Sequence, residues 1–544
     1  MTALPPDAVL RRVTETLPAV DVLLVSTPRH FWPFVAADDN FVVPQALVYL
    51  AAHLRQNGVR VQILDCMPLK MGWRTLAQKV RELRPKVVAL GENHALYAHE
   101  AFKCFRMVKE IDPSIWTVAG GAHMSHMAHE GLLDPCLDVV VHGEGELTFT
   151  ELCQSILGTS AADTTGRPDL SNIQGISYRE VDDNGEGPPK AKVHNTRSRA
   201  LIRDLDELPL PAYDLLPMEL YGTSKYLFSP GGATIQHSRG CTLSCSFCAW
   251  WTMMAKRTDN EDGSVTLQPR WRTFGVERHL EEVELLAKRY NKKCMMYVDE
   301  SWNINPDFNL RYSEEILRRK LDVKWFGFMR ADAMLRDHKT GILGKMVEAG
   351  MAHICIGVER AEDTDLSNWN KHRYSTSQTR EVFRILKDDY PSVFRQGTFI
   401  VGIKDESKES IWQVAQLAKD LDLDYPAFHP VTPVPGTAVY EEAKRDAHFE
   451  VQDFKSFDWM TPVMRSRYMT RDEIAWEIYE MNKSLISAKW LARGLTDKTA
   501  YRRYMYTWFT KIAAKQAVDL LSQRVNPLKS RDYMNLVKPT WYDG

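Results

Sequence analysis

From Asp21 to about Leu157, short apolar runs rich in β-branched residues alternate with stretches whose apolar positions recur at helical spacing. The strand-like runs are Val22 to Ser26, Val59 to Leu64, Lys86 to Leu90, Trp116 to Ala119 and Val139 to Val141. Helices are predicted around Ala46 to Gln56, Thr75 to Leu83, Ala98 to Ile111 and after His123, with another from Glu146 onward. Five βα units of this kind predict a doubly wound parallel sheet of flavodoxin-like order, which takes ligands at the carboxyl ends of its strands. Those ends carry Thr27-Pro28-Arg29-His30, Gly91-Glu92-Asn93-His94, Gly120-Gly121-Ala122-His123 and His142-Gly143-Glu144-Gly145-Glu146.

A second alternating series runs from about Ala233 to Pro433. Its strand candidates are Thr234 to His237, Cys294 to Val298, Val323 to Gly327, His353 to Val358, Gln396 to Val401 and Ala427 to Val431. Helical stretches near Glu277 to Tyr290, Ser313 to Arg319, Ile342 to Ala349, Thr379 to Leu386 and Glu409 to Leu421 separate them. Six repeats predict a partial, open (β/α)6 barrel with its chemistry at the carboxyl ends of the strands. The pattern divides the chain into a first domain over 18–158, a linker over 159–230, the barrel over 231–445 and a helical region over 446–544. Pro, Gly, Asp and Thr dominate the linker, with a small hairpin expected around Gly175 to Tyr178. The last region is rich in Lys, Arg, Tyr and Trp and reads as an amphipathic helical cap, with a substrate-covering role as the other reading.

Composition narrows the partners. In 544 residues, 69 Lys and Arg stand against 71 Asp and Glu, so no overall field collects nucleic acid or an anionic membrane. No stretch approaches the roughly 18 apolar residues of a membrane helix, and the amino-terminal residues lack a secretory pattern, so a cytoplasmic protein without a membrane span is expected. Of nine cysteines, six are scattered singly through apolar or helical contexts, as buried small hydrophobes are. Cys241, Cys245 and Cys248 are crowded into eight residues just after the first barrel strand.

Three thiolates on one tight loop suit a soft-ligand metal, iron–sulfur clusters above all. A structural zinc site normally takes four protein ligands, and no fourth Cys or His follows at the usual spacing. Zinc and accidental crowding are the competing readings. Three ligands leave one iron of a cluster open, which serves a centre that binds and cleaves a substrate.

Arg239-Gly240 before Cys241, Phe247 before Cys248 and the position on a barrel's first loop together resemble the radical S-adenosylmethionine superfamily. In that family the three cysteines hold a [4Fe-4S] cluster whose unique iron chelates S-adenosylmethionine. The resemblance places Phe247 and further stations around that cofactor: Asp299 and Glu300 after the second strand, Arg330 after the third, and Glu359 in Ile356-Gly357-Val358-Glu359 at the end of the fourth. Phe399 to Gly402 and Thr432 to Thr437 look like the fifth- and sixth-strand signatures. A flavodoxin-like (Rossmann-type) domain ahead of such a barrel is similar to the cobalamin-binding subfamily, and implies that Gly120, Gly121, Gly143, Glu144 and Gly145 meet the corrin or its nucleotide tail. There is no Asp-x-His-x-x-Gly, so a histidine replacing the lower axial base is not implied, and His94, His123 and His142 read as ordinary loop histidines.

Phe457-Asp458-Trp459-Met460-Thr461-Pro462 before an aromatic helical tail resembles the anaerobic magnesium-protoporphyrin ester cyclase group and the related cobalamin-dependent methyltransferases. The implied activity is reductive cleavage of S-adenosylmethionine to a 5′-deoxyadenosyl radical and methylation of an unactivated carbon or phosphorus centre of a small-molecule substrate. A flavodoxin or ferredoxin would supply electrons. The rival readings are a cyclase-like radical reaction on a tetrapyrrole, transfer of another part of S-adenosylmethionine, and a non-catalytic corrinoid-binding or sensor protein. Trp250, Trp251, Met253 and Met254, next to the cysteine loop, read as core packing or as the lining of a large apolar pocket.

Overall fold

The computed structural model describes residues 19–29, 42–158, 168–182, 190–222, 231–521 and 541–543. His30, residues 183–189 of the expected linker and residues 522–540 of the expected tail lie outside the described residues. Five parallel strands, β1 (Val22–Ser26), β2 (Val61–Asp65), β3 (Val87–Gly91), β4 (Trp116–Gly120) and β5 (Val139–Val141), build the amino-terminal sheet. Their order, β2-β1-β3-β4-β5, is the doubly wound one, with the reversal between β1 and β3. Apart from Gln62 and Thr117 the strand interiors are apolar, as a sheet covered on both faces demands, and Val22, Leu23, Leu24, Val87 and Val88 are fully buried.

The region expected to be a linker is built into the fold. Strands β6 (Ile176–Asp182) and β7 (Lys190–Asn195) form an antiparallel hairpin that extends the sheet beyond β5, pairing Ile176 with Val141 and Tyr178 with Val139. Downstream, Tyr213, Leu216, Met218 and Tyr221 enter the main core. Pro- and Asp-rich composition signals the turns of this strap but hides its apolar anchors, whose spacing follows no regular period.

In the second domain β8 (Gly232–Ile235) is followed by β9 (Ser238–Gly240), a surface hairpin of β10 (Lys256–Asp259) and β11 (Val265–Gln268), and β12 (Trp271–Thr273), which pairs antiparallel with β9. Strands β13 (Cys294–Tyr297), β14 (Lys324–Met329), β15 (Met351–Glu359), β16 (Phe394–Val401) and β17 (Tyr425–Pro430) complete an open six-stranded parallel sheet in the order β8-β13-β14-β15-β16-β17. Met295, Trp325 and Ile354 face the outer helices, in a core continuous with that of the first domain. The two domains therefore share one apolar interior.

The carboxyl-terminal region divides between the two ends of the barrel, unlike the single cap the sequence suggests. Helix Arg471–Leu485 buries Ile474, Ile478 and Met481 in the main core. Helices Ala488–Thr496 and Ala500–Leu521 bury Trp490, Tyr501, Met505, Tyr506 and Phe509 against Cys294, Phe326, Cys355 and Phe394, the inward positions near the starts of the strands. An open barrel of six strands leaves its floor unfilled, and these rings fill it. Asp424, fully buried just before β17, fastens the plug: it accepts from Arg395 Nη2 at 3.0 Å, Arg502 Nη1 at 2.5 Å and Tyr506 Oη at 2.6 Å.

Burial alone would raise the Asp424 pKa, but Arg395 and Arg502 reverse this and hold the carboxyl down to about 2. Its folded pKa lies below its unfolded one, so the stabilisation it provides is complete above about pH 4 and is lost as pH falls toward 2. Asp424→Ala leaves the buried Arg395 guanidinium without its carboxylate, while Arg502 keeps Asp497 at 2.7 Å, and is expected to cost about 3–5 kcal/mol, read as a lowered denaturant midpoint at pH 7.

Candidate active site between the two sheets

Cys241, Cys245 and Cys248 sit on the loop that leaves β9, at the carboxyl edge of the barrel, each partly exposed. Gly240 sets the loop's exit: its φ is +84° and a Cβ there would overlap the Arg270 carbonyl, so only glycine serves. Leu243 N donates to Cys241 Sγ at 3.4 Å, and Cys248 N donates to Cys245 O at 3.1 Å, closing a turn between the second and third cysteines. Burial pushes the Cys245 thiol up to about 11 and the Cys248 thiol up to about 12, with the neighbouring cysteines adding to the rise. Both remain protonated at neutral pH until a metal displaces the proton. Among the described residues no three His, Cys, Asp or Glu side chains gather closely enough for a single metal ion. A [4Fe-4S] cube asks for a different arrangement, one thiolate at each of three separate irons, and the soft trio on one loop fits it.

Charged and aromatic side chains from four elements surround this loop. Glu300 Oε2 accepts from Gly240 N at 3.0 Å, and burial raises its pKa to about 7. Arg330, at the end of β14, donates to Thr242 Oγ1 at 2.5 Å and grips Asp332 with Nε and Nη2 at 2.9 and 2.6 Å. Glu359 ends β15 with φ +66° and pairs with Lys371 Nζ at 2.8 Å. Gly357 makes room for that pair, because a Cβ there would overlap Glu359 Oε1 and lie 2.9 Å from Lys371 Nζ. The ring of Phe247 packs on Trp369 at 5.1 Å, and Ser246 N donates to Trp369 O at 3.0 Å. Asp299 departs from expectation. It is buried beneath the loop, where Oδ1 accepts from Ser238 N at 2.5 Å and Ser238 Oγ at 2.6 Å with His237 Nδ1 2.6 Å away, and Oδ2 faces His237 N at 3.4 Å, so the carboxylate is turned to β9 and its approach.

The carboxyl edge of the amino-terminal sheet faces this loop. His94 meets the rings of Trp250 and Trp459 at 5.3 and 5.1 Å, His123 meets Phe454 at 4.9 Å, and His126 Nε2 lies 2.9 Å from Thr252 Oγ1. Burial lowers His94, His123 and His126 to about 4 and His142 to about 3, so all four are neutral imidazoles at neutral pH. His94, His123 and His142 each keep a buried Nδ1 without a hydrogen-bond partner, which fits a ligand with an amide-rich rim, as a corrin has. Gly120 and Gly121 form the turn after β4, with Gly121 at φ +88° and Asn93 Oδ1 accepting from Ala122 N beside it. Gly143 lies against the Met253 carbonyl, and Gly145 against Leu50 at the start of helix Gly145–Leu157. Glu144, expected at the corrin, is turned elsewhere: it accepts from Arg239 Nη1 at 2.8 Å, Arg272 Nη1 at 2.9 Å and Ile202 N at 2.8 Å.

Residues 32–153 match the model of the B12 binding domain, and residues 235–418 that of the radical SAM superfamily. The chain belongs to the cobalamin-binding radical S-adenosylmethionine enzymes. It is 29% identical to an uncharacterized methyltransferase of Pyrococcus horikoshii, over 79% of this chain and 85% of that protein. It is 28% identical to the anaerobic magnesium-protoporphyrin IX monomethyl ester cyclase of Rubrivivax gelatinosus, over 79% of this chain and 71% of that one. The solved radical S-adenosylmethionine methyltransferase TsrM of Kitasatospora setae, with cobalamin and a [4Fe-4S] cluster bound, has the same fold at a TM-score of 0.62 and 15% identity, covering 92% of this chain and all of TsrM.

In this radical S-adenosylmethionine enzyme the structure brings Cys241, Cys245, Cys248, Phe247, Glu300, Arg330 and Glu359 to one loop cluster. Lys371 and Trp369 were not legible in the sequence, since no motif marks the segment after β15 that folds over the cysteine loop. Gly357→Ala is expected to separate Glu359 from Lys371 and weaken S-adenosylmethionine binding by about tenfold, close to 1.4 kcal/mol, at unchanged iron content. Equilibrium dialysis of the anaerobic protein measures the binding, and a colorimetric iron assay the content.

Proposed function

We propose that this enzyme methylates an unactivated carbon or phosphorus centre of a small-molecule substrate held between the barrel mouth and the amino-terminal sheet. The observation that carries this reading is the opposition of the two carboxyl edges. The three-cysteine loop and the histidine-lined edge face each other across a shared aromatic layer of Trp250, Trp459 and Phe454. Cys241, Cys245 and Cys248 would hold the [4Fe-4S] cluster, the Gly120-Gly121 and Gly143 turns and the histidines the cobalamin, and Phe247, Glu300, Arg330 and the Glu359–Lys371 pair the S-adenosylmethionine. When bound, these cofactors supply a single electron, a hydrogen-abstracting radical and a methyl group.

The chain's own residues bind, orient and exclude. Glu300 gains its charge near neutral pH and so can accept a donor from the methionine ammonium, while Arg330 presents a fixed guanidinium beside Thr242 on the same loop. The half-buried rings of Trp250, Trp459 and Phe454 line the space between the edges with apolar surface, which would limit the access of water to a radical formed there. Neutral histidines supply hydrogen-bonding nitrogens there without adding charge. On this reading the cobalamin is held by 18–158, the radical chemistry by 231–445, and residues 446–470 complete the aromatic wall. The electron would come from a flavodoxin- or ferredoxin-type donor in the cytoplasm. Among the described residues no helix is long and apolar enough to cross a membrane.

Anaerobic protein is expected to carry iron, sulfide and corrin, and turnover to yield S-adenosylhomocysteine together with 5′-deoxyadenosine. Deoxyadenosine alone would replace methylation with a cyclase-like radical reaction. Cys245→Ala is expected to lose the cluster absorbance and S-adenosylmethionine cleavage while still binding corrin, though more weakly; cleavage surviving in that variant would overturn the cluster assignment.

A further inference from the structure

Arg239 joins the two cofactor-facing edges through buried charge. It stands on β9, two residues before Cys241, and is almost wholly buried. Its Nη1 donates to Glu144 at 2.8 Å and its Nη2 to Glu146 at 2.6 Å, both on the turn that follows Gly143. Arg272, opposite Arg239 on β12, donates to both Glu144 oxygens at 3.0 and 2.9 Å. The Tyr49 ring lies 5.4 Å from the Arg239 guanidinium. Two cations and two carboxylates thus form a neutral tetrad, and the β9–β12 ribbon grips the turn from both of its strands. Burial pushes the Glu146 pKa up, but Arg239 outweighs it and holds the carboxyl below its ordinary value, so the pair stays ionised at neutral pH.

A buried ion pair is a poor source of stability, because desolvation offsets most of the attraction, but it fixes geometry through its fork of hydrogen bonds. This one is placed where geometry matters to both sites. On the barrel side the path from guanidinium to thiol is Arg239-Gly240-Cys241, and Gly240 is held by its pairing with Trp271 and by its N–H, which donates to Glu300 Oε2 at 3.0 Å. On the other side Gly143 directly precedes Glu144 and lies against Met253.

We infer that Arg239 is a positioning residue that couples the cysteine loop to the corrin-facing turn, so that assembly of the cluster and binding of cobalamin reinforce one another. The inference rests on the reading that both cofactors occupy these edges. Linkage makes the effect reciprocal.

The test uses the full chain, with and without its reconstituted cluster, and hydroxocobalamin as the probe. In the wild type, removing the cluster is expected to weaken hydroxocobalamin binding by about fivefold or more, and in Arg239→Lys, whose shorter point-charge ammonium replaces the planar fork that spans Glu144 and Glu146, by less than about twofold. Glu146→Gln removes one charge of the tetrad and keeps the Arg239–Glu144–Arg272 contacts, and is expected to fall between the two. Hydrogen–deuterium exchange at 143–149 gives a readout that needs no corrin: cluster assembly slows it in the wild type and not in Arg239→Lys. Equal cluster dependence in wild type and both variants, or none in the wild type, overturns the coupling. Protection at 143–149 with no hydroxocobalamin affinity would uphold the coupling and sink the cobalamin assignment alone.

Discussion

Two parallel sheets meet carboxyl edge to carboxyl edge, and the buried charges of Arg239, Arg272, Glu144 and Glu146 keep those edges in register. Everything chemical in the protein depends on that opposition. In a parallel sheet the connections after the strands carry the side chains free to bind ligands, so a site is confined to one edge of each domain. Bringing two such edges together sets loops of both domains around one region, which neither domain could do alone. The continuous apolar core behind them prevents the domains from moving as separate bodies.

The rest of the molecule serves this arrangement from a distance. Tyr501, Met505, Tyr506 and Phe509 fill the barrel floor, and Asp424 ties them to the first residues of β16 and β17, leaving the opposite mouth free for chemistry. The strap through Tyr213 and Tyr221 pins the two sheets along their flank: Tyr213 donates to Glu282 of the barrel at 2.6 Å and Tyr221 to Asp65 of the first domain at 2.5 Å. Burial raises both carboxyl pKa values, and the phenol donors offset part of that cost.

Polar residues near the cysteine loop divide by what their atoms are spent on. Glu300, Arg330, Glu359 and Lys371 remain around the loop, whereas Asp299 and Glu144 are consumed in holding β9 and the Gly143 turn. Sequence position cannot separate these roles. Asp299 and Glu300 are adjacent, yet alternation along an extended chain sends one beneath the loop and the other to its backbone.

Alternation of apolar runs with helical spacing was enough to read both sheets, because a doubly wound domain and a partial barrel need strands buried on both faces, and such burial leaves an unbroken apolar signature. The three-cysteine spacing likewise declared its chemistry, since soft ligands on one short loop have few other uses. Only the tertiary structure decided that the hairpin expected in the presumed linker extends the first sheet and that the rest of that region forms a strap, that the tail splits between mouth and floor, and that Lys371, Trp369 and Trp459 join the site. Those outcomes depend on contacts between residues far apart in the chain, and a local pattern carries no record of which distant surface an apolar or charged side chain will meet.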